Sequence, residues 1–440
     1  VAALKSVFAI TLALLTVSFG HAQTNTTATS AAGLPTALVT NGITFQDFLA
    51  EVASANLDYA ARRYDMTVAQ AAVAAARVFP NPKLSGQGMR DFTSGTAQRM
   101  PGTYGAGLEQ TFELGGKRKY RVLAARQGQA ATAASIDDFL RQLKLDASAA
   151  FAEALALARS ADQKRETAGY LGSLAEAQER RFKAGDISEA DMLQAVVEKR
   201  QFQNDLIAAE ADAEKASLFL DSFLGRERGH SRLIPKGSLE LSPREFDASQ
   251  LIRSALTNRG DLIALRRLQE ASETHVRLEK ANRVPDVDVG VGWLRNTRSD
   301  NIISPSPQFD SAGLTFSLPL PLWNRNKAGI AAARAGADQA KKMIEAAELK
   351  TEVQIRQSLV DYRGAIERVR NYQVGILKDA DTVLDARRFG YQRGESSLLE
   401  LIEAQRTATE VRTAYNDALA DQARSLIEVQ RAAGLMDIQF

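Results

Sequence analysis

Cysteine is absent from all 440 residues. That excludes structural disulfides, thiolate zinc sites and thiol nucleophiles, and it leaves no thiol to carry a lipid. Histidine is nearly as scarce. The three present, His21, His230 and His275, are scattered and lack the spacing of a metal set. An excess of either charge is missing too. Lys and Arg total 55 against 53 Asp and Glu, and a surface that tracks phosphates needs surplus cations. Nucleic acid is therefore not an expected partner. Proline is held to 11 residues, which suits long helices. No nucleophile–base set, metal cluster or phosphate loop is visible, so the chain does not read as an enzyme, and neither a cofactor nor a bound metal is expected.

Long apolar runs are also missing, with one exception. Lys5 precedes an apolar run from Val7 to Phe19, and Gly20-His21-Ala22 supplies small residues where a signal peptidase reads. Residues 1–22 read as a secretory signal peptide cleaved before Gln23. The run is short of the ~20 residues needed to span a bilayer as a helix. Residues 23–43, rich in Thr, Ala and Ser, read as a flexible lead-in.

What the sequence does have is a repeat. Phe182-Lys183-Ala184-Gly185-Asp186 runs on to Asp191 and Ala195, and Tyr391-Gln392-Arg393-Gly394-Glu395 runs on to Glu400 and Ala404. With Gly185 set on Gly394, the two align without a gap. Each has an aromatic three residues before the glycine, an acid just after it and a second acid further on. Glycine followed by an acid and serine ends one helix and starts another. The same break in two halves marks a duplication.

Each half repeats one order. Residues 44–225 form the first structural repeat: a helix to about Val78, strands at 83–92 and 105–115, a helix of about 65 residues, the turn and a return helix. Residues 226–245, rich in Gly and Pro, read as a linker. Residues 246–434 form the second repeat, with strands at 285–296 and 311–322, and 435–440 form a tail. The first long helix carries Ile136, Leu140, Leu143, Ala147, Ala150, Ala154, Leu157 and Ala161 in a coiled-coil rhythm. The second carries Ile355, Leu359, Tyr362, Ile366 and Val369, resuming at Ile376, Ala380 and Val383. Such helices reach about 100 Å. The fold class expected is mostly α, long antiparallel coiled coils ending in β-strands. Strands of about ten residues with apolar alternation suit a tilted membrane strand. Four cannot close a wide barrel, so several chains would share one.

The two tip turns, the doubled order over residues 44–434 and the junction Leu318-Pro319-Leu320-Pro321-Leu322-Trp323-Asn324-Arg325-Asn326-Lys327 together resemble the TolC-like outer-membrane efflux ducts, in their heavy-metal (cobalt–zinc–cadmium) branch. The resemblance implies a homotrimer with a 12-stranded barrel in outer-membrane lipid and a periplasmic helical tunnel. It also implies two partners, a periplasmic adaptor and an inner-membrane proton-driven pump. Ala184, Gly185, Asp186, Arg393, Gly394 and Glu395 correspond to adaptor-docking tips. Asp191, Tyr391, Glu400 and Glu403 correspond to the periplasmic gate. Glu400 and Glu403, three apart, share a helix face and would form rings of like charge in a trimer. Plain helix caps and a solvated face are the alternatives for these acids. Trp293 and Trp323 read as membrane-interface aromatics, with ordinary packing as the alternative. A drug or protein-secretion duct, or a soluble periplasmic scaffold, are competing functions.

Overall fold

The computed structural model describes residues 42–90, 101–225, 233–299, 302, 305–438 and 440. The expected signal peptide, almost all of the expected lead-in, residues 91–100 and the start of the linker lie outside these residues.

The first repeat begins with β1 (Gly42–Thr44), α1 (Phe45–Ala55) and α2 (Leu57–Arg77). The leading helix expected here to be continuous is two helices. Asn56 between them is extended (ψ 125°), its side chain accepts from Tyr59 N, and its Nδ2 donates to Phe223 O at 3.0 Å. A bond made to a return helix thus fixes the break. Strands β2 (Lys83–Met89) and β3 (Thr103–Phe112) follow, then α3 (Lys117–Ala184) and α4 (Glu189–Phe223). The linker holds β4 (Ile234–Lys236), which pairs in parallel with β1.

The second repeat has α5 (Ala248–Asn258), α6 (Gly260–Ala281), β5 (Val287–Asn296) and β6 (Phe309–Ser317). Its leading helix is also broken, at Arg259, whose Nη1 donates to Ala432 O on a return helix at 2.8 Å. Arg259 also clasps Asp261. Burial pushes the Asp261 carboxyl up, but the Arg259 hydrogen bonds and charge outweigh it and hold the carboxyl below its ordinary value. Strand β6 stops at Ser317, short of residue 322, because Pro319 and Pro321 have no N–H to give a ladder.

The second long helix is interrupted as well. It runs as α7 (Lys327–Asn371), a π-helical turn (Tyr372–Ile376) and α8 (Leu377–Arg393), and the return helix is α9 (Leu398–Ala433). The turn falls where the apolar rhythm pauses between Val369 and Ile376. A π turn winds in about one extra residue and so moves the apolar seam beyond it one position along the sequence. Hence Leu384 is buried, while Ile376 and Val383 are exposed.

The largest core surrounds the middle of α3. Leu145, Phe151, Ala152 and Leu155 are buried together with the seam residues Ala147, Ala150 and Ala154. Most of the helix surface is covered there because α1, α9 and Phe440 close around it. Phe151 sits 5.4 Å from the rings of both Phe45 and Phe48, and Phe440 packs edge-on at 4.7 Å from Phe45.

The four long strands form one antiparallel sheet in the order β2-β3-β5-β6. Its register sorts the faces. Leu84, Leu108, Val291 and Leu314 make one cross-strand row, and Gly86, Ala106, Trp293 and Ala312 the next. The opposite face carries Ser85, Gly107, Gly292 and Gly313 in a row, and Lys83, Glu109, Gly290 and Thr315 in another. One face is apolar and fully offered to the surroundings; the other is polar or bare. Strands β2 and β6 each leave one edge unpaired in the single chain.

Candidate functional site: the paired tip turns

Both tips use one local chemistry. Gly185 (φ +84°) and Gly394 (φ +78°) close α3 and α8 in the left-handed region. A Cβ at either would meet nothing within 4 Å, so glycine is there for the backbone angle rather than for space. The chain bonds back on itself, Asp186 N to Arg181 O at 2.9 Å and Glu395 N to Gly390 O at 2.8 Å. The next helices start on serine. Ser188 accepts from Asp191 N at 3.2 Å, and Ser397 accepts from Glu400 N at 3.2 Å. Glu400 returns the bond, its Oε2 accepting from Ser397 N at 3.0 Å, which completes a capping box.

This accounts for the second acid of each copy. The carboxylate of Asp191 accepts from Ser188 Oγ at 2.7 Å and makes no bond to the second tip among the described residues. That of Glu400 caps α9 and also faces Arg387 at 3.5 Å. Glu403 is exposed, with no ion pair among the described residues. Of Glu400 and Glu403, only Glu403 carries uncommitted charge among the described residues.

The tips differ where they meet. Tyr391 Oη receives Gln178 Nε2 at 2.6 Å and Arg181 Nη1 at 3.0 Å, tying α8 to α3. The matching residue of the first tip, Phe182, has no hydroxyl and is exposed. Beneath the bond, Tyr391 and Leu174 pack on Ala175, Ala195, Leu398 and Ile402. Gln178 and Arg181 are absent from the sequence-derived set. The tyrosine-for-phenylalanine difference between the copies was the available signal. Ala184, Gly185, Asp186, Arg393, Gly394 and Glu395 are all exposed, and the Arg393 guanidinium lies 4.1 Å over the Phe389 ring.

Further along the return helices, Arg406 grips the buried Glu198 through Nε at 2.6 Å and Nη2 at 2.5 Å. These bonds raise the Arg406 pKa above its ordinary value. Beyond them, Glu403, Glu410 and Asp417 recur every seventh residue on one exposed face of α9. Although Asp417 reaches solvent, partial desolvation by the neighbouring helices pushes its carboxyl up, and the nearby charges of Asp421 and Glu153 push it further. Among the described residues no cluster of His, Asp and Glu is dense enough for a metal ion, and no helix is long and apolar enough to cross a membrane.

The two aromatics lie apart. Trp293 stands on the apolar face of β5 between Ala106 and Ala312, with the Arg295 guanidinium 5.3 Å from its ring. Trp323 lies beyond the other end of the sheet, six residues past β6, and is 93% exposed.

Residues 48–226 and 251–435 match the outer membrane efflux protein family. Over 425 residues the chain is 23% identical to the cobalt-zinc-cadmium resistance protein CzcC of Cupriavidus metallidurans, covering 97% of this chain and 98% of that one. Among solved structures it is similar to CusC, a protein studied for transmembrane channel formation, with a TM-score of 0.73 at 18% identity over 93% of this chain and 96% of that one. The Campylobacter jejuni CmeC outer membrane channel gives 0.72 at 15% identity, over 89% and 85%.

Proposed function

We propose, on the premise that the chain belongs to the outer membrane efflux protein family, that it is the exit duct of a tripartite, proton-driven exporter of divalent heavy-metal cations. Family membership makes it an outer-membrane efflux channel; the cargo, the partners and the gate are our reading. The observation that carries it is the pairing of a one-face-apolar sheet, open at both edges, with two exposed tip turns on helices of about 100 Å.

An unpaired strand edge in lipid is too costly to persist. Three copies, each joining β6 to the β2 of the next, would close twelve strands with the apolar rows outward and the glycine and serine rows inward. The helices then enclose a periplasmic tunnel. Threefold repetition turns Glu403, Glu410 and Asp417 into successive acidic rings, which concentrate cations in a narrow passage. At the mouth, the Tyr391 hydroxyl holds α8 against α3, and Glu400 and Glu403 crowd the aperture. An adaptor docking on Ala184–Asp186 and Arg393–Glu395 would pull that contact apart. The heavy-metal cargo is supported by the similarity to CzcC, a cobalt-zinc-cadmium resistance protein.

Deletion of the gene tests the cargo. Tolerance of zinc, cobalt and cadmium should fall and return with the plasmid-borne gene. Unchanged metal tolerance together with lost dye tolerance would replace the metal reading with an organic-solute duct. Recovery in the soluble periplasmic fraction would sink the duct altogether.

A further inference from the structure

The four junctions between strand and helix share one composition. In the antiparallel register they lie at one end of the sheet, the start of β2 and β5 and the finish of β3 and β6. Each pairs a large exposed apolar side chain with cations a few residues away. Arg77 stands two before Phe79, which is 62% exposed. Lys119 follows Leu114. Lys280 and Arg283 precede Val284. Arg325 and Lys327 follow Leu322 and Trp323.

The acids within these junctions are already engaged. Asp286 holds Lys117 at 2.7 Å, and Glu113 holds Arg121 at 2.6 Å. Glu279 accepts from Asn326 Nδ2 at 2.6 Å, and Asp288 accepts from Thr111 Oγ1 at 2.5 Å. Six exposed cations remain, Arg77, Lys119, Lys280, Arg283, Arg325 and Lys327, and none pairs with a carboxylate among the described residues. Both repeats contribute, so the surplus is a property of the level and not of one loop.

We propose that this collar binds the phosphate groups of anionic phospholipids in the leaflet that faces the helices. The inference rests on the sheet lying in the outer membrane. The apolar band ends at these junctions, so Phe79, Leu322 and Trp323 sit at acyl-chain and interfacial depth while the longer cationic side chains reach the headgroups. A free phosphate would use the cations but has no need of the apolar partners, and that combination selects the lipid. Each Lys or Arg near an anionic surface strengthens attachment about fivefold, and the trimer would repeat the collar three times around the barrel.

The full-length protein, purified in a neutral detergent, tests this by thermal unfolding with three additives at matched concentration: phosphatidylglycerol, phosphatidylcholine and inorganic phosphate. Phosphatidylglycerol alone should raise Tm. A variant carrying Arg77→Gln, Lys119→Gln, Lys280→Gln, Arg283→Gln, Arg325→Gln and Lys327→Gln should keep its Tm in detergent and lose the lipid shift. Should that variant fail to fold, Arg325→Gln with Lys327→Gln should weaken the apparent lipid affinity at least about fivefold. An equal shift from phosphatidylcholine, or an undiminished shift in either folded variant, overturns the collar. A shift from inorganic phosphate replaces it with a free-anion site. Membrane fractionation separates the two levels of failure: absence from the outer membrane removes the premise, whereas outer-membrane protein without the preference refutes the collar itself.

Discussion

Tyr391 and Phe182 hold the same place in two copies of one turn and differ by a hydroxyl. That oxygen carries the bonds between Tyr391 and Gln178 and Arg181. Tyr391→Phe makes the second tip a copy of the first. It should cost about 1–2 kcal/mol, read by urea unfolding, and leave the assembled duct with a higher resting conductance in planar bilayers. An unchanged conductance would mean that the contact packs the tip without closing it. Asp417 makes an opposite case. Its folded pKa is raised first by partial desolvation, and then by Asp421 and Glu153. A raised carboxyl is favoured while protonated, so its contribution is fully present below the ordinary carboxylate value and is lost as pH rises through the folded one. Asp417→Asn should therefore raise Tm at pH 7 and make no difference near pH 3. The wild-type chain keeps a charge that weakens it, as a conducting acidic ring would require.

At the scale of elements, the π turn is the sharpest test. Gly375 lies within it, and deleting that residue should restore an ordinary helix with α8 still in phase, because a π turn absorbs about one extra residue. Leu384 should keep its packing on Leu401, Ala404 and Ala408, so urea unfolding should show little loss of stability. A loss of about 2–4 kcal/mol, the cost of emptying that contact, or new proteolytic cutting within α8 would overturn this reading of the turn. The same elements mark how far the sequence could be read. The tips were legible because glycine at positive φ and serine–acid caps are local chemistry. Strands β3 and β5 were legible because one face is apolar and the other is not. The breaks at Asn56 and Arg259 were hidden because their causes, Phe223 O and Ala432 O, lie far along the chain. Of the candidate gate, the glycines and acids could be found by alignment of the halves. The commitment of Asp191 and Glu400 to caps, and the Gln178 and Arg181 bonds, required the helices to be set side by side.

For the whole molecule, the decisive question is how the sheet is finished. Cysteine is absent, so introduced pairs will report without background. With Ser317→Cys on β6 as the fixed partner, whichever of the cysteines at Lys83, Ser85 and Gln87 of β2 stands opposite it should cross-link neighbouring copies into a ladder of dimers and trimers. Those at Leu84, Gly86 and Gly88 should not, since side chains alternate between faces. Equal yields at all six positions would refute pairing of β6 with β2.

Within one copy, Gly290 is the one residue of the four sheet strands that is buried. Such a sheet has no core of its own, and its glycines bring little strand preference. Its order must come from neighbours, from lipid on one face and from other copies at both edges. The helical part, with Phe151 and its surrounding rings, can form first on a single chain. Biogenesis then has a built-in sequence: helices before strands, and meeting of copies before or during entry into the membrane. A solitary copy would remain a periplasmic protein, so no half-built pore would breach the outer membrane.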